Sequence, residues 1–67
     1  MRCVSIRKPV NQALPIEVRF EDARRHTDLE VVNRALAATG ETRDRLTATR
    51  VQRYADTDDA TVFLYRD

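Results

Sequence analysis

The sequence predicts a two-layer α+β domain: a four-stranded antiparallel sheet with one helix packed on one face, in the order ββαββ. Three observations carry this. "PIEVRF" alternates Ile16, Val18 and Phe20 with Glu17 and Arg19, the period-two pattern of a strand with one face in the core. "TDLEVVNRALAATG" has helical periodicity between two capping signals. "LTATRVQRYA" and "ATVFLYR" are rich in β-formers and flank the turn-forming "DTDD".

The elements follow in chain order. Val4 and Ile6 alternate with Ser5 and Arg7 in a first short strand, which Pro9 ends because proline cannot donate to a ladder. "NQALP" connects it to the second strand. In the helix, Thr27 and Glu30 have capping-box spacing, each able to satisfy an orphan donor of the first turn. Gly40 sits where a left-handed C-terminal cap is needed. Leu29, Val32 and Leu36 share one helix face, widened by Val31, Ala35 and Ala38. "EDARRH" before the helix fits either an extension back toward Asp22 or a separate turn.

The last two segments read as a hairpin. Setting Ala55 opposite Ala60 leaves a four-residue loop, Asp56–Asp59, and pairs Val51 with Leu64, Arg53 with Val62, Gln52 with Phe63 and Arg50 with Tyr65. One face then carries Val51, Ala55, Ala60, Val62 and Leu64, the surface a small helix needs. The other carries Arg50, Gln52, Tyr54, Phe63 and Tyr65. Val62–Tyr65 is a run of four apolar residues, so this strand is apolar on both faces. One helix covers one face.

Sixty-seven residues predict a single domain spanning 1–67 and bury only about 60% of the surface of the unfolded chain. Self-association or a partner would supplement so small a core. Twelve basic and eleven acidic residues nearly cancel, so the bulk charge carries no nucleic-acid footprint. Eleven of the twelve cations are Arg, the residue suited to planar, bidentate or stacked recognition. The N-terminus lacks the apolar run of a signal peptide, and four apolar residues are far short of a membrane span. The expectation is a soluble cytoplasmic protein with no membrane partner. An origin in a phage or mobile element is an expectation of this size class, not of any residue.

No residue pattern points to catalysis. Cys3 is alone, which excludes an intrachain disulfide or a thiolate zinc cluster, and nothing near it activates a thiol. His26, the only histidine, has no matched nucleophile in the sequence. A single glycine excludes a Gly-rich phosphate loop. Asp56, Asp58 and Asp59 are ordinary turn chemistry and lack the glycine of a calcium loop. No cofactor and no metal are expected.

What remains is the aromatic face. Arg50, Gln52, Tyr54, Phe63 and Tyr65 form the candidate partner-binding set, for a protein partner or a second copy in a homodimer. Three aromatics of roughly 150–250 Å² each, at about 25 cal/mol per Å², yield on the order of 10 kcal/mol before the cost of association. That suits micromolar binding by a non-enzymatic adaptor, inhibitor or regulatory subunit. The alternative is a nucleic-acid surface built from Arg43, Arg45, Arg50 and Arg53 beside those rings. Residues 43–55 sum to +3 and residues 56–67 to −3, and stacked bases want aromatic platforms along a basic track.

Overall fold

A computed structural model describes residues 1–67. The elements are β1 (Arg2–Arg7), β2 (Ile16–Glu21), α1 (Asp28–Thr39), a 3-10 turn (Arg43–Arg45), β3 (Leu46–Arg53) and β4 (Ala60–Arg66). The sheet is antiparallel throughout with strand order β1-β2-β4-β3, and α1 lies on one face, as the sequence predicts. Because β4 runs antiparallel to both β2 and β3, those two run parallel to each other, with α1 as the crossover between them. This is a split βαβ unit.

The positions of the strands follow their composition. β4 is the most continuously apolar segment and takes a central place, with Ala60, Thr61, Val62 and Leu64 buried. β2 lies beside it, pairing Ile16 with Leu64, Val18 with Val62 and Phe20 with Ala60. These six residues are 0–2% exposed and form the floor of the core. β1, exposed along its whole length, and β3, nearly so, are the edges.

The helix begins at Asp28, which decides between the two readings of "EDARRH": residues 22–26 form a separate turn, with Asp22 at φ 55°. Thr27 caps the first turn. Its hydroxyl accepts from the Glu30 amide at 3.2 Å, and a Glu30 carboxylate oxygen accepts from the Thr27 amide at 3.0 Å. Gly40 closes the other end at φ 73°, its amide donating to Leu36 O at 2.9 Å.

Two sequence expectations are corrected. The buried stripe of α1 is Val31, Val32 and Ala35, whereas Leu29 is 63% exposed and Ala38 is exposed. The helix is rotated so that Val31, Val32 and Ala35 meet the sheet, while Leu29 and Ala38 turn outward. The β3–β4 hairpin is shifted by two residues: Val51 pairs with Val62, Arg53 with Ala60, Gln52 with Thr61 and Arg50 with Phe63. Its loop therefore covers residues 54–59, and Ala55 lies exposed in it rather than in the core. On its other side β4 sets Val62 and Leu64 beside Val18 and Ile16 of β2. An even shift preserves faces, so the division into a core face and an open face survives.

Candidate functional site: the open face of the sheet

The face away from α1 is built from alternate residues of all four strands. β4 contributes Thr61, Phe63 and Tyr65; β3 contributes Ala48, Arg50 and Gln52; β2 contributes Glu17, Arg19 and Glu21; β1 contributes Arg2, Ser5 and Arg7. Tyr54 joins them from the hairpin loop, where its hydroxyl and the Thr61 hydroxyl are 2.9 Å apart. Phe63, Tyr65 and Tyr54 are half-buried rather than fully exposed.

Two of these three rings lie under a guanidinium. The Arg50 Cζ lies 4.6 Å from the centre of the Phe63 ring, and the Arg19 Cζ lies 4.8 Å from that of Tyr54. Arg50 and Phe63 are directly opposed cross-strand neighbours, which holds the aliphatic stem of one against the ring of the other. Three of the four consecutive apolar residues in β4 are thus covered within the chain, Val62 and Leu64 under the helix and Phe63 partly beneath Arg50, while Tyr65 stays half-buried on the open face.

Around the aromatics the charges are paired. Arg2 bonds Glu21, Arg7 lies 3.5 Å from Glu17, and Arg19 donates to Asp59 at 2.9 Å. The Asp59 hydrogen bond holds the Arg19 guanidinium above its ordinary pKa. Glu21 does the same for Arg2. The Arg2–Glu21 and Arg7–Glu17 pairs are largely exposed and worth little to folding, whereas Arg19–Asp59 is partly buried. No group of three or more His, Cys, Asp or Glu side chains is placed to hold a metal ion. The acidic loop is instead matched to arginine, with Asp59 on Arg19 and Asp58 3.8 Å from Arg24.

The five residues of the candidate partner-binding set, Arg50, Gln52, Tyr54, Phe63 and Tyr65, lie together on this face. The four arginines of the nucleic-acid alternative do not. Arg50 is on the open face. Arg53 is on the helix side, donating to Ala23 O at 2.8 Å, His26 O at 2.7 Å and Asp28 Oδ1 at 2.7 Å. Arg43 reaches Asn33 Oδ1 at 2.8 Å, and Arg45 lies in the 3-10 turn.

Two residues absent from the sequence-level set matter here. Arg19 reads as a generic wet position of β2; only its place beside β4 brings it over Tyr54. Arg66 donates to Pro9 O at 2.7 Å and to Asn11 O and Leu14 O at 3.2 Å, tying the β1–β2 loop to the end of β4. No sequence signal marks it, because its partners are more than fifty positions away. No helix is long and apolar enough to cross a membrane. Comparison of the chain with protein families, curated proteins and solved structures returns no match.

Proposed function

We propose that this chain is a non-enzymatic interaction protein, an adaptor, inhibitor or regulatory subunit, that binds a protein partner through the open face of its sheet. One observation carries the reading: Arg50 stacked on Phe63 at the centre of a face that also presents Tyr54, Tyr65 and Arg19. Tyr and Arg are the residue types that dominate protein–protein hot spots, where a flat aromatic and an outward guanidinium desolvate together. The half-buried rings are held in place before any partner arrives, which lowers the ordering cost of association. The surrounding ion pairs form a polar rim that sets orientation more than affinity.

A protein fits this face better than a nucleic acid does. Two of the ring faces that bases would stack on already carry guanidinium groups, and the arginines of residues 43–53 are divided among different parts of the surface.

The test is affinity capture quantified against Arg50→Glu and Phe63→Ser, with circular dichroism confirming that both remain folded. A protein retained by the wild type and lost with both variants is the expected result. Equal recovery with both variants overturns the reading, as does a salt-sensitive oligonucleotide complex that accounts for all binding.

A further inference from the structure

The outer strands of the sheet, β1 and β3, differ in what their cations hold. Arg2 and Arg7 of β1, and Lys8 just past its end, each lie against a carboxylate, those of Glu21, Glu17 and Glu41 in turn. β3 contains Arg50 and Arg53 and no acidic residue. Arg53 is satisfied by Asp28 and by the carbonyls of Ala23 and His26. Arg50 lies over Phe63 and makes no ion pair. Arg43, just before β3, reaches only the neutral Asn33 Oδ1, at 2.8 Å.

The same edge has free backbone groups and an apolar groove. β3 has β4 on one side and no strand on the other. The Tyr54 amide donates to Asp59 O, so in an antiparallel ladder Gln52 and Arg50 also face β4, while Arg53, Val51 and Thr49 turn their amides and carbonyls outward. On the helix side of this outward row, Leu29 and Val32 of α1 line a groove with Thr49 and Val51, and Leu29 is 63% exposed. Arg43 and Arg50 border the same groove.

We propose that this edge takes an extended, acidic segment of a protein partner, added to the sheet as a fifth strand beside β3. The outward row offers donors and acceptors in alternation, which a peptide backbone matches and a phosphate backbone, with acceptors alone, does not. Side chains of an added strand point alternately to the two faces of the sheet. Those on the helix side enter the groove and cover Leu29 and Val51, so they are apolar. Those on the other side stand beside Arg50, where a glutamate or aspartate completes a cross-strand ion pair and a lysine or arginine meets a like charge. Arg43 adds a second cation with no carboxylate of its own. At β1 an acidic segment would instead compete with Glu21, Glu17 and Glu41 for cations already paired. The edge shares only Arg50 with the open face, so this docking mode goes beyond the function proposed above.

The experiment titrates the full chain with two blocked hexapeptides, one alternating valine with glutamate and the other valine with lysine, followed by backbone amide NMR. Saturable binding of the glutamate peptide is expected, with the largest shifts and slowed exchange at Thr49, Val51 and Arg53. Its affinity should exceed that of the lysine peptide by about 10-fold, the difference between opposite and like cross-strand charges. Thr49→Pro removes one outward N–H without touching the ladder to β4 and should weaken binding by about 3–10-fold, the loss of one backbone hydrogen bond. Arg43→Glu alters an exposed side chain and should narrow the preference between the two peptides by about 2–5-fold. Circular dichroism checks that both variants stay folded. No saturable binding of the glutamate peptide overturns the proposal, as does equal affinity for the two peptides or binding that neither variant alters. Shifts confined to Tyr54, Phe63 and Tyr65 also overturn it and assign the acidic segment to the open face. A thymidine oligonucleotide that binds the Thr49–Arg53 edge more tightly than the glutamate peptide overturns it in favour of nucleic acid.

Discussion

Arg53 of β3 donates to Asp28 Oδ1 from Nε at 3.2 Å and from Nη2 at 2.7 Å, joining the end of the hairpin strand to the first residue of the helix. The same guanidinium bonds the carbonyls of Ala23 and His26. One side chain thereby fixes the turn that delivers the chain into α1. Arg53→Ala is expected to destabilise the fold by about 1.5 kcal/mol, the low end of the range for hydrogen bonds to charged groups because Asp28 is largely exposed. Arg53→Lys should recover little of it, because an ammonium cannot reproduce the fork. Urea unfolding of the three proteins checks both statements, and a fully rescued lysine variant would contradict the second.

Glu30 is held below the ordinary glutamate range by hydrogen bonds from the Thr27 backbone and hydroxyl, with a smaller contribution from His26. A lowered folded value means the carboxylate stabilises the fold above its ordinary pKa, and the contribution disappears as pH falls through the lowered value. Wild type should therefore melt above Glu30→Gln at neutral pH. The margin should shrink once the pH drops below about 4.3, the usual glutamate value. Paired thermal melts across pH 7 to 2 would show it, and a margin independent of pH would disprove it.

Gly40 is at φ 73°, and a Cβ built there meets no atom within 4 Å. The cost of Gly40→Ala is therefore conformational rather than steric, about 1 kcal/mol, and Gly40→Asn should cost less because asparagine tolerates the left-handed region. Equal stability of all three proteins in chemical denaturation would refute this.

Leu64 is fully buried against Ile16 at the centre of the core. Leu64→Ala removes about 2–5 kcal/mol. A domain of this size has roughly 3–5 kcal/mol to lose. The variant is expected to be largely unfolded at 25 °C by circular dichroism.

Arg50→Ala uncovers the Phe63 ring at the cost of a cation–π contact of roughly 0.5–1 kcal/mol. Fluorescence of a hydrophobic dye should rise with the variant while its melting temperature falls only slightly. No change in dye binding would mean that Arg50 does not shield the ring in solution.

The sequence alone determined the element order, the helix caps and the sorting of β2, β3 and β4 residues between two faces. These depend on interactions a few positions apart: Thr27 with Glu30, Gly40 with Leu36, and the alternation of Ile16, Val18 and Phe20. Grouping Arg50, Gln52, Tyr54, Phe63 and Tyr65 on one face needed only the parity of the hairpin, which survives a two-residue slip. Strand order, the true register and the fate of the arginines were decided by the tertiary structure. β4 is central because β2 must also pair with it, a constraint invisible from the hairpin itself. Arg19, Arg50 and Arg53 look alike in the sequence, yet one covers Tyr54, one covers Phe63 and one pins the helix. A long flexible cation is placed by whichever ring or carboxylate the sheet brings near it, and that is a property of contacts distant in sequence.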